Sequence, residues 1–259
     1  MPTSTQKMSS LMAGLLLGWL YLKQLLAQPG LWAGGKAPFE PSAADDLLFY
    51  MTIGIVIGGR LGQVVLYHPD IYLREPLEIF KLWRGGMSFH GGLIGAAVAC
   101  LVFARRHAVP VETVFDASAA VVPFGLFFGR IANFINAEHW GRITSAPWGM
   151  VFPQPSAGLF ARHPSQLYEA LTEGILVFLL LRFMTHKRLA LRAPGLVTGV
   201  FLIAYAAARI FCELFREPEE GAPLNLGPVT TGMIYSVPMI LLGWYFLRRA
   251  KARPAADAT

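Results

Sequence analysis

The residues best suited to chemistry lie in one run, residues 129–142, which reads GRIANFINAEHWGR. It places Arg130 and two asparagines at the end of an otherwise apolar stretch. A charge at membrane depth costs roughly 2.5–3.5 kcal/mol on insertion scales, so a charge that is kept there indicates a function. On a helix, Arg130, Asn133 and Ala137 fall at i, i+3 and i+7, and the first two point a guanidinium and an amide toward one spot. This spot is the first candidate binding site.

The same run continues with polar residues where the helix is expected to surface. Asn136 and Glu138 are followed by Gly141, which permits a turn or a close backbone approach beside Trp140. A structural explanation stays open for the whole run, because Asn and Arg also join helices in membranes and cap their ends.

A second polar stripe runs along a later apolar segment. Four residues share one helical face at spacings of i, i+4, i+8 and i+11: Tyr205, Arg209, Glu213 and Arg216. An exposed Arg209–Glu213 ion pair would contribute only about 0.2–0.5 kcal/mol. In a membrane helix, four polar side chains on one stripe indicate instead a wet cavity or a bound head group.

A histidine stands at the start of a third run, SFHGGLIGA, at residues 88–96. His90 is followed by glycines at positions 91, 92 and 95, which would let backbone or lipid approach the imidazole. Histidine is the side chain best suited to move a proton near neutral pH. The alternative is a structural residue that forms hydrogen bonds at the membrane interface.

For the other polar residues, a structural role is the preferred interpretation. Pro164 precedes SQLYEA, which is the pattern of a helix start. Arg60 and Glu173 are charges within apolar runs, and each requires a partner that the sequence does not identify.

Several fixed guanidiniums suit a phosphate, because each offers a planar fork of donors and stays charged. A lipid phosphate at the outer leaflet is the natural ligand. The sequence has no phosphate-binding loop, no GxSxG elbow and no HExxH motif. Cys100 and Cys212 lack CxxC spacing, so neither a disulfide framework nor a thiolate metal site is indicated. We expect no metal and no cofactor.

The composition indicates that membrane helices carry these residues. Of 259 residues, 54% are hydrophobic and 15% are charged, and the mean hydropathy is +0.48. Seven apolar runs approach the length of about 20 residues that spans a bilayer. They lie at residues 9–27, 46–67, 89–104, 115–135, 164–184, 195–214 and 230–247. We therefore predict an all-α integral membrane protein with seven transmembrane helices; a soluble helical bundle would need polar outer faces that these runs mostly lack.

Basic residues follow the odd-numbered spans. Arg105 and Arg106 follow the third, and Arg248 and Arg249 follow the seventh. By the positive-inside rule these ends are cytoplasmic, which places the N-terminus in the periplasm and the C-terminus in the cytoplasm. The net charge of +6 then reflects topology and contact with anionic lipid, and not nucleic-acid binding.

The spans organise the chain into one predicted unit. We expect a single multi-pass membrane domain over residues 1–253 and a disordered cytoplasmic tail at residues 254–259. Residues 136–163, between the fourth and fifth spans, are predicted to form a small periplasmic head.

Four runs, in this order and spacing, resemble the bacterial phosphatidylglycerol:prolipoprotein diacylglyceryl transferases: SFHGGLIGA, GRIANFINAEHWGR, RHPSQLYEA and YAAARIFCELFREPEE. The resemblance extends from about residue 45 to the seventh span. It implies seven helices with a periplasmic head and side arms in the bacterial inner membrane. It also implies transfer of the diacylglyceryl group of phosphatidylglycerol to the lipobox cysteine of a prolipoprotein signal peptide, with release of glycerol 1-phosphate.

The resemblance also implies roles for the candidate residues. Arg130 and Arg209 would hold the phosphate and stabilise the leaving group. His90 would take the thiol proton, with Glu138 or Glu213 as competing bases or as partners that orient the arginines. For substrate binding the resemblance gives Asn133 and Gly141, which match positions of head-group contacts in the family. The polar run and the stripe add Asn136, Tyr205, Glu213 and Arg216 as further predicted substrate-binding residues.

Two features depart from the family pattern. Members usually carry a tyrosine near the start of the first helix, whereas the aligned stretch here is residues 6–10 and no tyrosine precedes Tyr21. This departure leaves a non-catalytic phosphatidylglycerol-binding membrane protein as the alternative function. At Ala137 the family commonly has glycine, and we expect the methyl group to be tolerated if the backbone there is helical. A transporter is disfavoured, because inverted repeats and broken helices are not evident.

Overall fold

The structure is a computed structural model, and it describes residues 4–67, 69–82, 85–218 and 229–252. The chain forms two compact units. Unit 1 comprises Met1–Ala37 and Asp116–Thr259, and unit 2 comprises Pro38–Phe115. The predicted tail at residues 254–259 lies outside the described residues, and the single domain over residues 1–253 stays a prediction.

Unit 2 consists of two long antiparallel helices and the loop between them. Helix α2 (Ala43–Gly62) continues into a π-helical turn (Gln63–Tyr67), and the short helix α3 (Pro69–Arg74) follows. Helix α4 (Phe89–Arg106) returns along α2. The hydroxyl of Ser88 caps α4, since it accepts a hydrogen bond from the backbone nitrogen of Gly91 at 3.1 Å.

Glycines line the crossing of α2 and α4. A Cβ atom on Gly95 would lie 1.9 Å from the carbonyl oxygen of Gly54, and one on Gly91 would lie 2.2 Å from that of Gly58. Small residues at four-residue spacing allow membrane helices to approach this closely. Contact between the two helix backbones, and not access to the imidazole of His90, therefore explains Gly91 and Gly95.

Arg60, near the end of α2, organises the loop of unit 2. Its side chain is buried and donates to five carbonyl oxygens: Ile79 at 2.8 Å, Gly85 at 2.7 Å, Gly86 at 3.1 Å, Lys81 at 3.4 Å, and Glu78. The sequence indicated that Arg60 requires a partner but did not identify it. In the structure its guanidinium is satisfied by backbone carbonyls and not by an oppositely charged side chain.

Unit 1 contains the remaining long helices. They are α1 (Ser4–Leu26), α5 (Val111–Ile135, in unit 1 from Asp116), α8 (Leu196–Glu213) and α9 (Thr231–Ala252). One further helical run comprises α6 (Ser165–Glu169), a π-helical segment (Ala170–Leu176) and α7 (Val177–His186). As predicted, this run begins directly after Pro164.

The end of α5 differs from the sequence prediction. The helix ends at Ile135, and Ala137 has a φ of +53°. The backbone nitrogen of Glu138 donates to the carbonyl of Asn133 at 2.9 Å, which closes the helix end. Ala137 is therefore not helical, and it occupies a left-handed position that favours glycine. The predicted i, i+3, i+7 alignment holds only for Arg130 and Asn133.

Residues 136–163 form a packed, mostly irregular segment, called the head segment below. Phe134 and Trp140 pack against a buried cluster of Ala137, Phe152 and Ala157. Isolated antiparallel bridges join Arg162 to Ile143 and to Met150. The segment therefore has a core and backbone pairing of its own.

Membrane character is supported by four helices in the described residues that are long and apolar enough to cross a bilayer. They are Ala43–Val65, Phe89–Arg106, Val111–Ile135 and Leu196–Glu213. The other three predicted spans also coincide with helix, in α1, in the run Ser165–His186 and in α9. The protein is thus an α-helical membrane protein.

Candidate active site

Arg130 on α5 meets two glutamates of the helical run Ser165–His186. Its Nε and Nη2 donate to Oε2 of Glu173 at 3.1 and 3.0 Å. Its Nη1 lies 3.3 Å from Oε2 of Glu169. Both carboxylates are fully buried, whereas the Arg130 side chain keeps 16% of its surface exposed. The guanidinium thus has carboxylates on one side, and part of the Arg130 side chain stays accessible.

Arg209 on α8 reaches the same two glutamates. Its Nη1 donates to Oε1 of Glu169 at 2.5 Å and lies 3.7 Å from Oε1 of Glu173. Its Nη2 lies 2.5 Å from Oε1 of Glu213, one turn further along α8. Arg209 is also 16% exposed. Two guanidiniums from different helices therefore converge on one pair of carboxylates.

Arg216, three residues beyond the end of α8, completes the cluster. Its Nη1 donates to Oε1 of Glu169 at 3.1 Å, and its Nη2 lies 3.1 Å from Nδ1 of His139. Because an arginine cannot accept, the imidazole of His139 accepts at Nδ1. Glu169 consequently contacts three arginines.

The helical run that carries Glu169 and Glu173 has two features that favour their contact with Arg130. Glu173 lies in the π-helical segment Ala170–Leu176, and such segments occur often at functional sites. The next residue, Gly174, packs on α5, because a Cβ atom there would lie 2.7 Å from Cβ of Phe127. Phe127 precedes Arg130 by three residues on α5. The close packing at Gly174 therefore brings Arg130 against Glu173.

Charge balance accounts for the composition of this network. Three arginines contact three buried glutamates: Arg130, Arg209 and Arg216 with Glu169, Glu173 and Glu213. An isolated buried ion costs several kcal/mol even after relaxation, so charges of both signs must be present together. An arginine that keeps an exposed edge can still bind an anion such as phosphate with its remaining donors.

The head segment is joined to the cluster through Gly141. Its backbone nitrogen donates to the carbonyl of His163 at 2.9 Å, and a Cβ atom would lie 2.6 Å from the carbonyl oxygens of His163 and Phe215. The sequence left a turn or a close backbone approach open at Gly141, and the structure shows the close approach. Arg162 adds a side-chain hydrogen bond to the Gly141 carbonyl at 3.2 Å.

The other predicted site residues have these positions. Tyr205 lies one turn before Arg209 on α8, and Asn133 lies three residues after Arg130 on α5. The backbone carbonyls of Asn136 and Glu138 accept hydrogen bonds from Gln154 at 2.9 Å and from Gln166 at 2.6 Å. His90 is the second residue of α4 and belongs to unit 2, so its catalytic role stays a prediction.

Sequence reasoning did not identify Glu169 as a site residue, although the run RHPSQLYEA contains it. A signal was present, because Glu169 and Glu173 are spaced i, i+4 within one apolar stretch. Two acids on one face of a membrane helix require cations on a neighbouring helix. In the described part of the chain, no group of three His, Cys, Asp or Glu side chains has the arrangement of a metal site.

Comparison with known proteins gives a consistent result. The sequence model of the family described as prolipoprotein diacylglyceryl transferase matches residues 9–249. A relative from Rhizobium meliloti is named phosphatidylglycerol–prolipoprotein diacylglyceryl transferase, and it is 51% identical over 245 residues, which are 94% of this chain and 87% of the relative. Relatives with the same name from Methylocella silvestris and Beijerinckia indica are 51% and 52% identical, covering 95% and 92% of this chain and 89% and 86% of their own.

Proposed function

The chain belongs to the prolipoprotein diacylglyceryl transferase family, and from this premise we propose that it transfers the diacylglyceryl group of phosphatidylglycerol to the lipobox cysteine of a prolipoprotein. This is the first step of lipoprotein maturation. The family predicted from the four sequence runs is thereby confirmed, as is the class of enzyme.

The reaction balances as a displacement at carbon. A bond forms between the cysteine sulfur and the terminal carbon of the diacylglyceryl group, and the bond between that carbon and the phosphate oxygen breaks. The electron pair leaves with glycerol 1-phosphate, and the thiol proton goes to a base. The protein must therefore hold a phosphate, stabilise negative charge on the leaving group and accept a proton.

The observation that carries the proposal is the convergence of Arg130 and Arg209 on Glu169. Two guanidiniums from α5 and α8, each partly exposed, are held next to each other by fully buried carboxylates. Prepositioned donors stabilise developing charge without reorganisation, and loss of one such donor costs about 2.7–4 kcal/mol in known enzymes. In the proposed mechanism both arginines bind the lipid phosphate before and during departure of the leaving group.

The remaining site residues have supporting roles in the proposal. Asn133 and Tyr205, each on the same helix as one of the two arginines, contact the head group. Gly141 and the neighbouring head segment form the rim at which the peptide cysteine arrives. The base is His90, Glu138 or Glu213, of which His90 has the side chain best suited to proton transfer near neutral pH.

The same proposal includes a topology. Seven helices cross the bacterial inner membrane, the head segment and the N-terminus lie in the periplasm, and the C-terminus lies in the cytoplasm. It is supported by the basic residues after the odd-numbered spans. It also places the ends of α5 and α8 that carry Arg130 and Arg209 on the periplasmic side, where a lipobox cysteine is accessible.

The decisive experiment supplies the purified full chain with phosphatidylglycerol and a peptide that contains a lipobox. We expect the peptide mass to increase by one diacylglyceryl group and glycerol phosphate to be released in equal amount. A matched peptide with serine in place of the cysteine gives neither product. Lipid binding without product from either peptide would support the non-catalytic binding protein instead.

A further inference from the structure

The three carboxylates of the arginine cluster are not held equally. Glu169 contacts Arg130, Arg209 and Arg216, and Glu173 takes two nitrogens of Arg130 on one oxygen. Glu213, by contrast, pairs with Arg209 alone among the described residues, through a single nitrogen. Its side chain also keeps 6% of its surface exposed, whereas the other two keep none.

The position of Glu213 makes this single contact exchangeable. It is the last residue of α8, where the carbonyl end of the helix disfavours a negative charge. Its carboxylate also touches the first turn of α9, because a Cβ atom on Gly232 would lie 2.4 Å from Oε1 of Glu213. Backbone N–H groups in a first helical turn favour a carboxylate. Next to Gly232, the hydroxyl of Thr231 is buried without a hydrogen-bond partner among the described residues.

We propose that Glu213 is the exchangeable counter-ion of the arginine cluster: the lipid phosphate displaces it from Nη2 of Arg209, while Glu169 and Glu173 stay in place. This inference rests on the proposed function, because it takes the phosphate of phosphatidylglycerol as the incoming anion. Gly232 is the positioning residue that gives the Glu213 carboxylate its place against Arg209. No covalent step is involved, and one anion replaces another on one guanidinium.

The proposed exchange predicts the direction in which removal of each counter-ion changes the affinity for lipid. The lipid phosphate binds only those molecules in which Glu213 has left Arg209. The apparent affinity for the lipid is therefore the intrinsic affinity multiplied by the fraction of such molecules. Removing the exchangeable counter-ion must therefore strengthen lipid binding. Removing a permanent counter-ion must weaken it, because the arginines lose their position.

Two variants disturb the exchangeable contact by different means. Gly232→Ala adds a methyl group against Oε1 of Glu213, at the end of a flexible side chain that has to move. Glu213→Gln removes the charge and keeps the shape. Glu173→Gln removes a permanent counter-ion, so it should change the affinity for lipid in the opposite direction. Gly125→Ala is the matched glycine control, since its added Cβ meets no atom within 4 Å.

The experiment uses the full chain in nanodiscs of phosphatidylcholine that contain a rising fraction of phosphatidylglycerol. The dissociation constant for phosphatidylglycerol is measured without peptide by native mass spectrometry, and the KM and kcat are then measured with a lipobox peptide. We expect Gly232→Ala and Glu213→Gln to lower the dissociation constant by about threefold or more. Glu173→Gln raises it, and Gly125→Ala leaves it unchanged.

An unchanged or higher dissociation constant in both Gly232→Ala and Glu213→Gln overturns the exchange. If Glu213→Gln does not fold, Gly232→Ala alone decides. Failure of the proposed function is separable, because it is seen as absence of peptide modification by the unaltered chain while the binding constants still shift as expected. In the KM data, the exchange predicts a lower KM for Gly232→Ala, which a purely structural defect would not produce.

Discussion

Arg60 in unit 2 and Arg130 in unit 1 are both arginines within membrane helices, but their charges are satisfied in different ways. Arg60 is surrounded by carbonyl oxygens of one loop, and within the described residues its guanidinium meets no carboxylate. Arg130 is held by the side chains of Glu169 and Glu173, and its side chain stays partly exposed. The loop carbonyls leave the Arg60 side chain buried, whereas the two carboxylates fix Arg130 and leave part of its side chain exposed. In this protein the arginine held by backbone carbonyls is therefore structural, and the arginine fixed by carboxylates is suited to binding an anion.

The largest expected effect comes from removing the carboxylate that the arginines share. In Glu169→Leu, three arginines lose a buried partner, so we expect the free energy of unfolding to fall by about 3–5 kcal/mol. Unfolding by sodium dodecyl sulfate in mixed micelles measures it. The exposed acid Glu75 supplies the control, because Glu75→Leu should change this free energy by less than about 0.5 kcal/mol. Equal stability of the two variants would mean that the cluster contributes nothing to the fold.

The next test compares the two arginines directly. Lysine cannot reproduce the fork of donors, so Arg130→Lys and Arg60→Lys should each lower the free energy of unfolding by about 1.5–3 kcal/mol. Only Arg130→Lys should also lower the turnover per folded molecule, by about tenfold or more, since it alone removes a donor from the phosphate. The measurement is peptide modification normalised to the folded fraction. A similar loss of turnover in Arg60→Lys would contradict the distinction.

A smaller effect is expected in the carbonyl ring around Arg60. Gly86 has a φ of +80° and its carbonyl accepts from Arg60. Alanine at a left-handed position costs about 1–2 kcal/mol, so Gly86→Ala should lower stability by that amount and leave turnover per folded molecule intact. Gly30→Ala, whose added Cβ has no neighbour within 4 Å, is the stability control. A turnover defect in Gly86→Ala would show that this loop takes part in the reaction.

The smallest expected effect concerns His90, the single residue of unit 2 with a predicted catalytic role. In His90→Gln, turnover should fall at pH values below about 8.5, the ordinary pKa of a cysteine thiol, and little above it. Below that pH the thiolate is scarce and a base is needed, whereas above it the thiol ionises unaided. The pH profile of kcat/KM is the measurement. A profile that keeps its shape in the variant would assign proton removal to a glutamate.

Much of the fold followed from hydrophobic run length. Every predicted span coincides with helix, and the start of the fifth at Pro164 was predicted from local preferences of the first turn. The end of α5 was not, because Ala gives no sign of the left-handed conformation that Ala137 adopts. The spacing of apolar residues also gave no indication that the chain turns after Ile135.

The site was predicted in part. Arg130 and Arg209 were selected because each is a charge in an apolar run, and they lie together in the structure. Their link through Glu169 was missed, since it depends on the rotation of three helices about their axes. Arg60 also lies in an apolar run, but its partners are backbone carbonyls of a loop. The pattern of side chains in the sequence does not specify such partners.

The π-helical segment at Ala170–Leu176 has a consequence for how the chain tolerates change in length. A π-turn holds one residue more than the α-turn that it replaces, so it corresponds to a single-residue insertion into a regular helix. Deleting one residue there would restore the α-helix and leave the turns on either side nearly in phase, but it would move Glu173, which lies within the segment, relative to Glu169. The extra residue therefore sets the relative positions of the two glutamates that hold Arg130. We expect insertions and deletions to be accepted in the loops but not between Ser165 and His186.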